Sequence, residues 1–311
     1  MDILKKHGFK LFAGSYLGFL TFGVITLIVS LIFFGIMGTS LYQAFDLNQL
    51  DLSNPNPDIA TLYQLIEPLG YAFIITLVFM FLIYFISTAL FTAGMTSAVN
   101  EAVYQDQSST TSFLTYGFKR FWKMLKLLLA YFVVLYIPLM LVDSLISVIS
   151  SHSPALGLLL LIPYYILTIL LHVSMVHGII LYLQKDLRVW TAVKAGFQTL
   201  TRAFGQTFLS GILLLVLSIA VMIVFGILVV LSLFIMGTAS EPNPFFFLLM
   251  ILVIGVIAII VIPPISIIYQ LIITKRLKEI IEPRVFGNHS ETQQQASNVD
   301  SDLNSNQSDK E

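Results

Sequence analysis

Four long stretches of the chain carry no Lys, Arg, Asp or Glu: Leu11 to Phe45, Pro68 to Asn100, Ala203 to Ser240 and Pro242 to Thr274. Each exceeds the ~20 apolar residues that a helix needs to cross the hydrocarbon core of a bilayer. A further apolar stretch, Leu125 to Gln184, carries only Lys126 and Asp143 of these residue types, is too long for one crossing and is interrupted by Ser150-Ser151-His152-Ser153-Pro154. It reads as two spans joined by a tight hairpin. The pattern therefore predicts six spans, at about 14–40, 69–97, 125–149, 156–182, 206–236 and 246–273. The fold class expected is all-α, a polytopic membrane helix bundle over 1–284. The remainder, 285–311, is expected to be a disordered tail, because Ser, Asn, Gln and Asp dominate it and cannot bury a core.

Composition agrees with this pattern. Only 11% of the 311 residues are charged and 57% are hydrophobic, whereas a soluble domain carries roughly 25% charged residues. The sign of the polar positions adds an orientation. All 16 Lys and Arg fall on one side of the predicted spans. Lys5, Lys6 and Lys10 precede the first span, and Lys119, Arg120, Lys123 and Lys126 occupy the second loop. Lys185, Arg188, Lys194 and Arg202 occupy the fourth, and Lys275, Arg276, Lys278, Arg284 and Lys310 follow the last span. The opposite loops, about 41–68, 150–155 and 237–245, contain none of these and hold acids such as Asp46, Asp51, Asp58, Glu67 and Glu241. Because basic residues stay on the cytoplasmic side, both termini are expected in the cytoplasm of a multi-pass protein of the cell (inner) membrane. The absence of cysteine excludes disulfides, thiolate metal sites, thiol nucleophiles and palmitoylation. Nucleic acid is not an expected partner at a net charge of −1.

A short pattern recurs before each odd-numbered span: Gly8-Phe9-Lys10-Leu11-Phe12, Gly117-Phe118-Lys119-Arg120-Phe121 and Gly196-Phe197-Gln198-Thr199-Leu200. The repeating unit it predicts is a cytoplasmic interfacial helix followed by a transmembrane hairpin, three times over. In the third copy Asp186 is the expected N-cap, and Val189, Trp190, Val193, Phe197, Leu200 and Phe204 form the expected apolar face, with cations in between. The second copy sets Phe113, Phe118, Phe121 and Trp122 beside Lys119, Arg120, Lys123 and Lys126. These cations, with Arg188, Lys194 and Arg202, are candidates for binding anionic headgroups, or else serve topology alone. This repeated basic, aromatic approach to six spans resembles bacterial membrane proteins grouped with the membrane domain of glycerophosphoryl diester phosphodiesterases. The resemblance covers residues 1 to about 280 and implies a membrane domain without the soluble phosphodiesterase barrel, so no catalytic residue carries over.

Within the spans, one acid draws attention. Asp143 lies about six residues from the outer end of the third span, roughly 9 Å deep at 1.5 Å per residue. It serves either a wet helix end or an ion, proton or substrate path. His172 and His177 are five residues apart, about 140° around a helix, so they cannot chelate one ion locally. Pro138, Pro163, Pro263 and Pro264 are expected to kink their spans. Gly14, Gly18, Gly94 and Ala98 permit close helix packing.

No metal site, cofactor or catalytic constellation is expected, since neither Gly-x-Ser-x-Gly nor a pair of mid-membrane acids occurs. The first reading is a non-enzymatic lipid-interacting, membrane-homeostasis or scaffolding protein. Its partners would be membrane lipids, further copies of itself or other membrane proteins. The alternative is a small transporter or channel-like permease using Asp143, the proline-kinked helices, and Tyr269 and Gln270 near the last span's inner end.

Overall fold

The structure is a computed structural model that describes residues 2–44, 59–237 and 244–287. Of the expected disordered tail, 285–311, the first residues are helical, with Val285 buried and Phe286 packed against the core, while the part from Asn288 onward and the acids Asp46, Asp51, Asp58 and Glu241 lie outside the described residues. All described elements are helical: α1 (Asp2–Ala44), α2 (Ile59–Tyr104), α3 (Ser112–Lys119), α4 (Phe121–Tyr131), α5 (Ile137–His152), α6 (Pro154–Lys185), α7 (Val189–Arg202), α8 (Phe204–Gly237), α9 (Pro244–Arg276) and α10 (Glu282–Phe286). π-Helical turns at Phe132–Tyr136 and Leu277–Ile281 join α4 to α5 and α9 to α10. Six helical segments among the described residues are long and apolar enough to cross a membrane. The chain therefore has the make-up of a multi-pass integral membrane protein.

Several boundaries differ from the sequence expectation. The first opposite loop shortens, because α1 runs on to Ala44 and α2 begins at Ile59, which takes Glu67 into the helix. The break in the central stretch is a single residue, Ser153, with extended backbone (φ −144°, ψ 92°). Pro154 favours this, since its ring disfavours helical backbone in the residue before it and suits the first helical position after it. The hairpin closes tightly at Gly157, where a β-carbon would stand 2.0 Å from Ser150 Oγ.

The prolines act in two ways. Pro163, Pro263 and Pro264 lie inside the continuous helices α6 and α9. Pro138 and Pro283 instead each follow a π-helical turn by two residues. In both places the N–H just before the proline reaches back five residues, Ile137 to Phe132 O and Glu282 to Leu277 O. The widened turn carries the backbone past the proline ring, which would otherwise collide with the carbonyl four residues earlier.

Packing divides the chain into two compact units, Met1–Ala98 with Ser108–Leu128, and Val99–Gln107 with Leu129–Glu311. In the first, α3 packs against α1 and α2 chiefly through Phe113, fully buried among Phe22, Leu90, Phe91 and Met95, with the Phe118 ring 5.4 Å from that of Phe22. Glycines make the notch for it. A β-carbon on Gly18 would meet the Phe113 ring at 2.0 Å, and one on Gly94 would meet the Phe113 carbonyl at 2.5 Å. A hydrogen bond from the neighbouring segment to α1, His7 Nδ1 to Ser108 Oγ at 2.8 Å, pins the same crossing. Thr26 and Ser87 join α1 to α2 at 2.8 Å.

The second unit centres on α6. Its core gathers Ile180 and Leu181 of α6, Ala195 of α7 and a stripe running down the end of the chain: Ile273, Leu277, Ile281 and Val285. A spacing of four residues drifts about 40° per step on a regular helix, about 120° over this stripe. The π-helical turn between Leu277 and Ile281 takes up that drift, and all four residues stay buried.

Candidate functional site

The site begins with the way α7 meets α6. The expected arrangement was an amphipathic helix whose Val189, Trp190, Val193, Phe197, Leu200 and Phe204 point to one apolar side. The structure buries Ala192, Val193, Ala195, Gly196 and Thr199 against neighbouring helices and leaves Trp190 and Phe204 exposed. Small size decides this. A β-carbon on Gly196 would stand 2.6 Å from the Ser174 carbonyl, and one on Gly178 would stand 2.9 Å from the Ala192 carbonyl and 2.0 Å from the Tyr131 hydroxyl. The two backbones are thus in contact, and only the small-residue face of α7 allows it. Asp186 is not the N-cap of α7. It closes α6 in left-handed backbone (φ 52°, ψ 41°), and Arg188 holds the position before α7 without a side-chain capping bond. Asp tolerates that conformation better than most residues.

The crossing carries a polar clasp. Thr199 Oγ1 donates its one proton to Gly196 O at 2.7 Å and lies 3.0 Å from His177 Nδ1. It must therefore accept from the imidazole, so Nδ1 bears the ring proton and Nε2 presents a bare lone pair. That Nε2 is buried without a hydrogen-bond partner among the described residues, as are Tyr269 Oη, Thr274 Oγ1 and Asn100 Oδ1. Thr207 Oγ1 donates to Thr199 O at 2.9 Å. Arg276 holds the start of α8 by donating to Gln206 Oε1 at 2.9 Å and to Ser210 Oγ at 3.3 Å.

Beside the clasp, the end of the chain hooks onto α2 and α6. Glu282 pairs with Lys185 at 2.5 Å and accepts from the Tyr104 hydroxyl at 3.0 Å. Lys278 Nζ donates to Val103 O at 2.7 Å and lies 5.2 Å from the Tyr104 ring centroid. Arg202 donates to Val285 O at 3.0 Å. The hook brings Phe286 under α7 and forms one wall of a groove of about 330 Å³, lined by Leu181, Lys185, Leu187, Thr191, Lys194, Ala195, Gln198 and Phe286. Thr191, Lys194, Ala195 and Gln198 follow the i, i+3, i+4, i+7 spacing that aligns side chains on one helix face.

The candidate cations separate into two groups. Arg120 is engaged, donating to Ser97 Oγ at 3.2 Å and lying 5.0 Å from the Tyr116 ring centroid, and Arg202 is held by Val285. Lys123 is half-buried. Lys119, Lys126, Arg188 and Lys194 are exposed and pair with no described residue. The two tryptophans of the chain stand beside these cations, Trp122 on α4 and Trp190 on α7, both exposed.

Asp143 lies on the exposed surface of α5, where no described residue pairs with it. His172 lies 3.5 Å from the Tyr136 hydroxyl, apart from the His177 clasp. No group of three or more His, Cys, Asp and Glu side chains suited to a metal ion occurs among the described residues. The glycines of the recurring Gly-Phe pattern behave alike in two copies. Gly117 meets Phe22 and Gly196 meets Ser174 across a helix crossing, whereas Gly8 meets only residues of α1, which runs unbroken from Asp2 and has no separate interfacial helix.

Sequence reasoning missed the hook, Lys185 included as a groove residue. The four-residue stripe from Ile273 to Val285 was its available signal, since it continues an apolar face beyond the last predicted span. Comparison of the chain with family models, with curated proteins and with solved structures finds no match.

Proposed function

We propose that this integral membrane protein is a non-enzymatic lipid-interacting protein whose short basic helices collect anionic phospholipid at the cytoplasmic surface. One observation carries the reading. Each of the two short-helix crossings sets an exposed tryptophan beside exposed cations that pair with no described residue: Trp122 with Lys119 and Lys126, and Trp190 with Arg188 and Lys194. Indole rings favour the headgroup level of a bilayer, and each basic side chain near an anionic surface contributes about 1 kcal/mol of attraction. The repeated unit then has a purpose in each of its last two copies, to hold a cationic, aromatic shelf against a pair of spans. The permease reading asks Asp143 to face an enclosed path, and its exposed position on α5 lends that reading no support.

The two tryptophans supply the test. In proteoliposomes of mixed lipid, brominated phosphatidylglycerol is expected to quench Trp122 and Trp190 more strongly than brominated phosphatidylcholine at the same mole fraction. In a Trp190→Phe background, Lys119→Gln with Lys126→Gln should remove the preference at Trp122. Equal quenching by both lipids in the unaltered protein would overturn the reading.

A further inference from the structure

We infer that the groove between α6, α7 and α10 is a specific site for one anionic glycerophospholipid whose phosphodiester carries a single negative charge. The inference rests on the lipid-interacting reading and deepens it, from a general enrichment of anionic lipid to one bound molecule.

Charge selects the class of ligand. Two lysines line the groove, but Lys185 is already neutralised by Glu282, which also accepts from Tyr104. Lys194 is exposed, pairs with no described residue and sits one turn from Thr191 and from Gln198 on the same face. The groove therefore offers one uncompensated cation flanked by a hydroxyl and an amide. A phosphodiester monoanion matches that balance. A zwitterionic head would bring an ammonium group toward Lys194, and a phosphomonoester would bring a second negative charge that nothing described in the groove neutralises. Thr191 and Gln198 can hydrogen-bond the hydroxyls of a polyol head, such as glycerol.

Shape selects the source. The floor and far wall are Leu181, Leu187, Ala195 and Phe286, and Leu181 and Ala195 belong to the buried core. A soluble phosphate compound gains nothing from that apolar surface, whereas the glycerol backbone and first methylenes of a lipid do. The volume of about 330 Å³ accommodates a headgroup and not a whole diacyl lipid, so the chains would leave along the apolar helices. The rim residues Lys185, Thr191 and Lys194 are exposed, which leaves the groove open to its ligand.

Native mass spectrometry of the full chain in mild detergent tests the assignment, with phosphatidylglycerol and phosphatidylethanolamine as the two probes. The unaltered protein is expected to keep one phosphatidylglycerol through delipidating washes that remove phosphatidylethanolamine. Lys194→Gln with Gln198→Leu should weaken that retention at least tenfold without changing the thermal midpoint, and Lys194→Arg should restore it. Lys119→Gln with Lys126→Gln lies outside the groove and should leave the single molecule in place. Full retention by the Lys194 and Gln198 variant would remove the groove as the site, even where the tryptophan quenching preference stands. Displacement by millimolar glycerophosphate would reassign the groove to soluble phosphodiesters. If the unaltered protein retains neither lipid while the quenching preference persists, enrichment is general and the specific site is refuted. Loss of both results would refute the underlying reading as well.

Discussion

The two units solve one problem, how to fasten a short helix across long apolar ones, by different physical means. In the first unit an aromatic ring fills a glycine notch: Phe113 lies against Gly18 and Gly94, with the bond from His7 to Ser108 alongside. In the second unit α6 and α7 meet backbone to backbone, and the buried Tyr131 reaches the crossing with its hydroxyl, which donates to Ala192 O at 3.5 Å. Gly178 and Gly196 bring the backbones together, and His177, Thr199 and Thr207 tie the polar groups that this close approach buries. An aromatic plug depends on volume and tolerates apolar replacements of similar size. A backbone contact with a polar clasp depends on the absence of side chains and on the hydrogen bonds that the clasp makes. Both tryptophans and the exposed cations Lys119, Lys126, Arg188 and Lys194 belong to these two regions, and the difference lies in how each short helix is held.

The comparison can be broken most strongly at Gly196. A β-carbon there meets the Ser174 carbonyl, which belongs to backbone and cannot swing away. Gly196→Val is expected to cost about 3 kcal/mol or more through overpacking. The measurement is the thermal midpoint in detergent, which should fall far below that of a control such as Gly205→Ala, where nothing lies within 4 Å. A midpoint close to the control would mean that α7 does not depend on this contact.

Next in size is the aromatic plug. Phe113→Ala empties a fully buried position and should cost about 3 kcal/mol, whereas Phe113→Leu should cost roughly 1 kcal/mol. Calorimetry of the two variants checks the ratio, and equal losses would contradict a volume-based crossing. The clasp should respond to chemistry instead. Thr199→Val keeps the shape but strips His177 Nδ1–H of its acceptor, an expected loss of about 1 to 3 kcal/mol. A double-mutant cycle with His177→Phe isolates the pair, and additive effects would mean that the two residues do not act together.

The smallest effect is expected at the hook. Glu282→Gln removes the partner of Lys185, but the lysine is 39% exposed. Solvent screening limits the loss to about 1 kcal/mol. Repeating the thermal scan in high salt should narrow the gap between the variant and the unaltered protein; an unchanged gap would point to the Tyr104 bond as the larger contribution.

Much of the architecture could be read along the chain. Charge-free runs, Pro154 and the one-sided distribution of Lys and Arg predict six spans and a hairpin break, because the apolar length of a span and the backbone limits before a proline are local properties. The glycines at 14, 18 and 94 were identifiable as packing positions, but not their guest, since Phe113 reaches Gly18 across 95 positions and was expected to belong to an apolar interfacial face. The candidate cations can also be named from sequence, although nothing local distinguishes Lys194, exposed beside a groove, from Arg202, held by Val285.

Membrane character, helix number and the grouping of basic side chains thus follow from composition and order along the chain, because the cost of placing charge and backbone in hydrocarbon acts on each segment alone. The face that α7 buries, the tautomer of His177 and the cavity walled by Phe286 do not follow in this way. Hydrophobic periodicity marks a side of α7 containing Trp190 and Phe204, but it does not reveal that the side buried against α6 is the one that lets Gly196 touch it. Small residues allow backbones to approach closely whatever the large apolar side chains do. That contact exists only once residues far apart in the chain have been brought together.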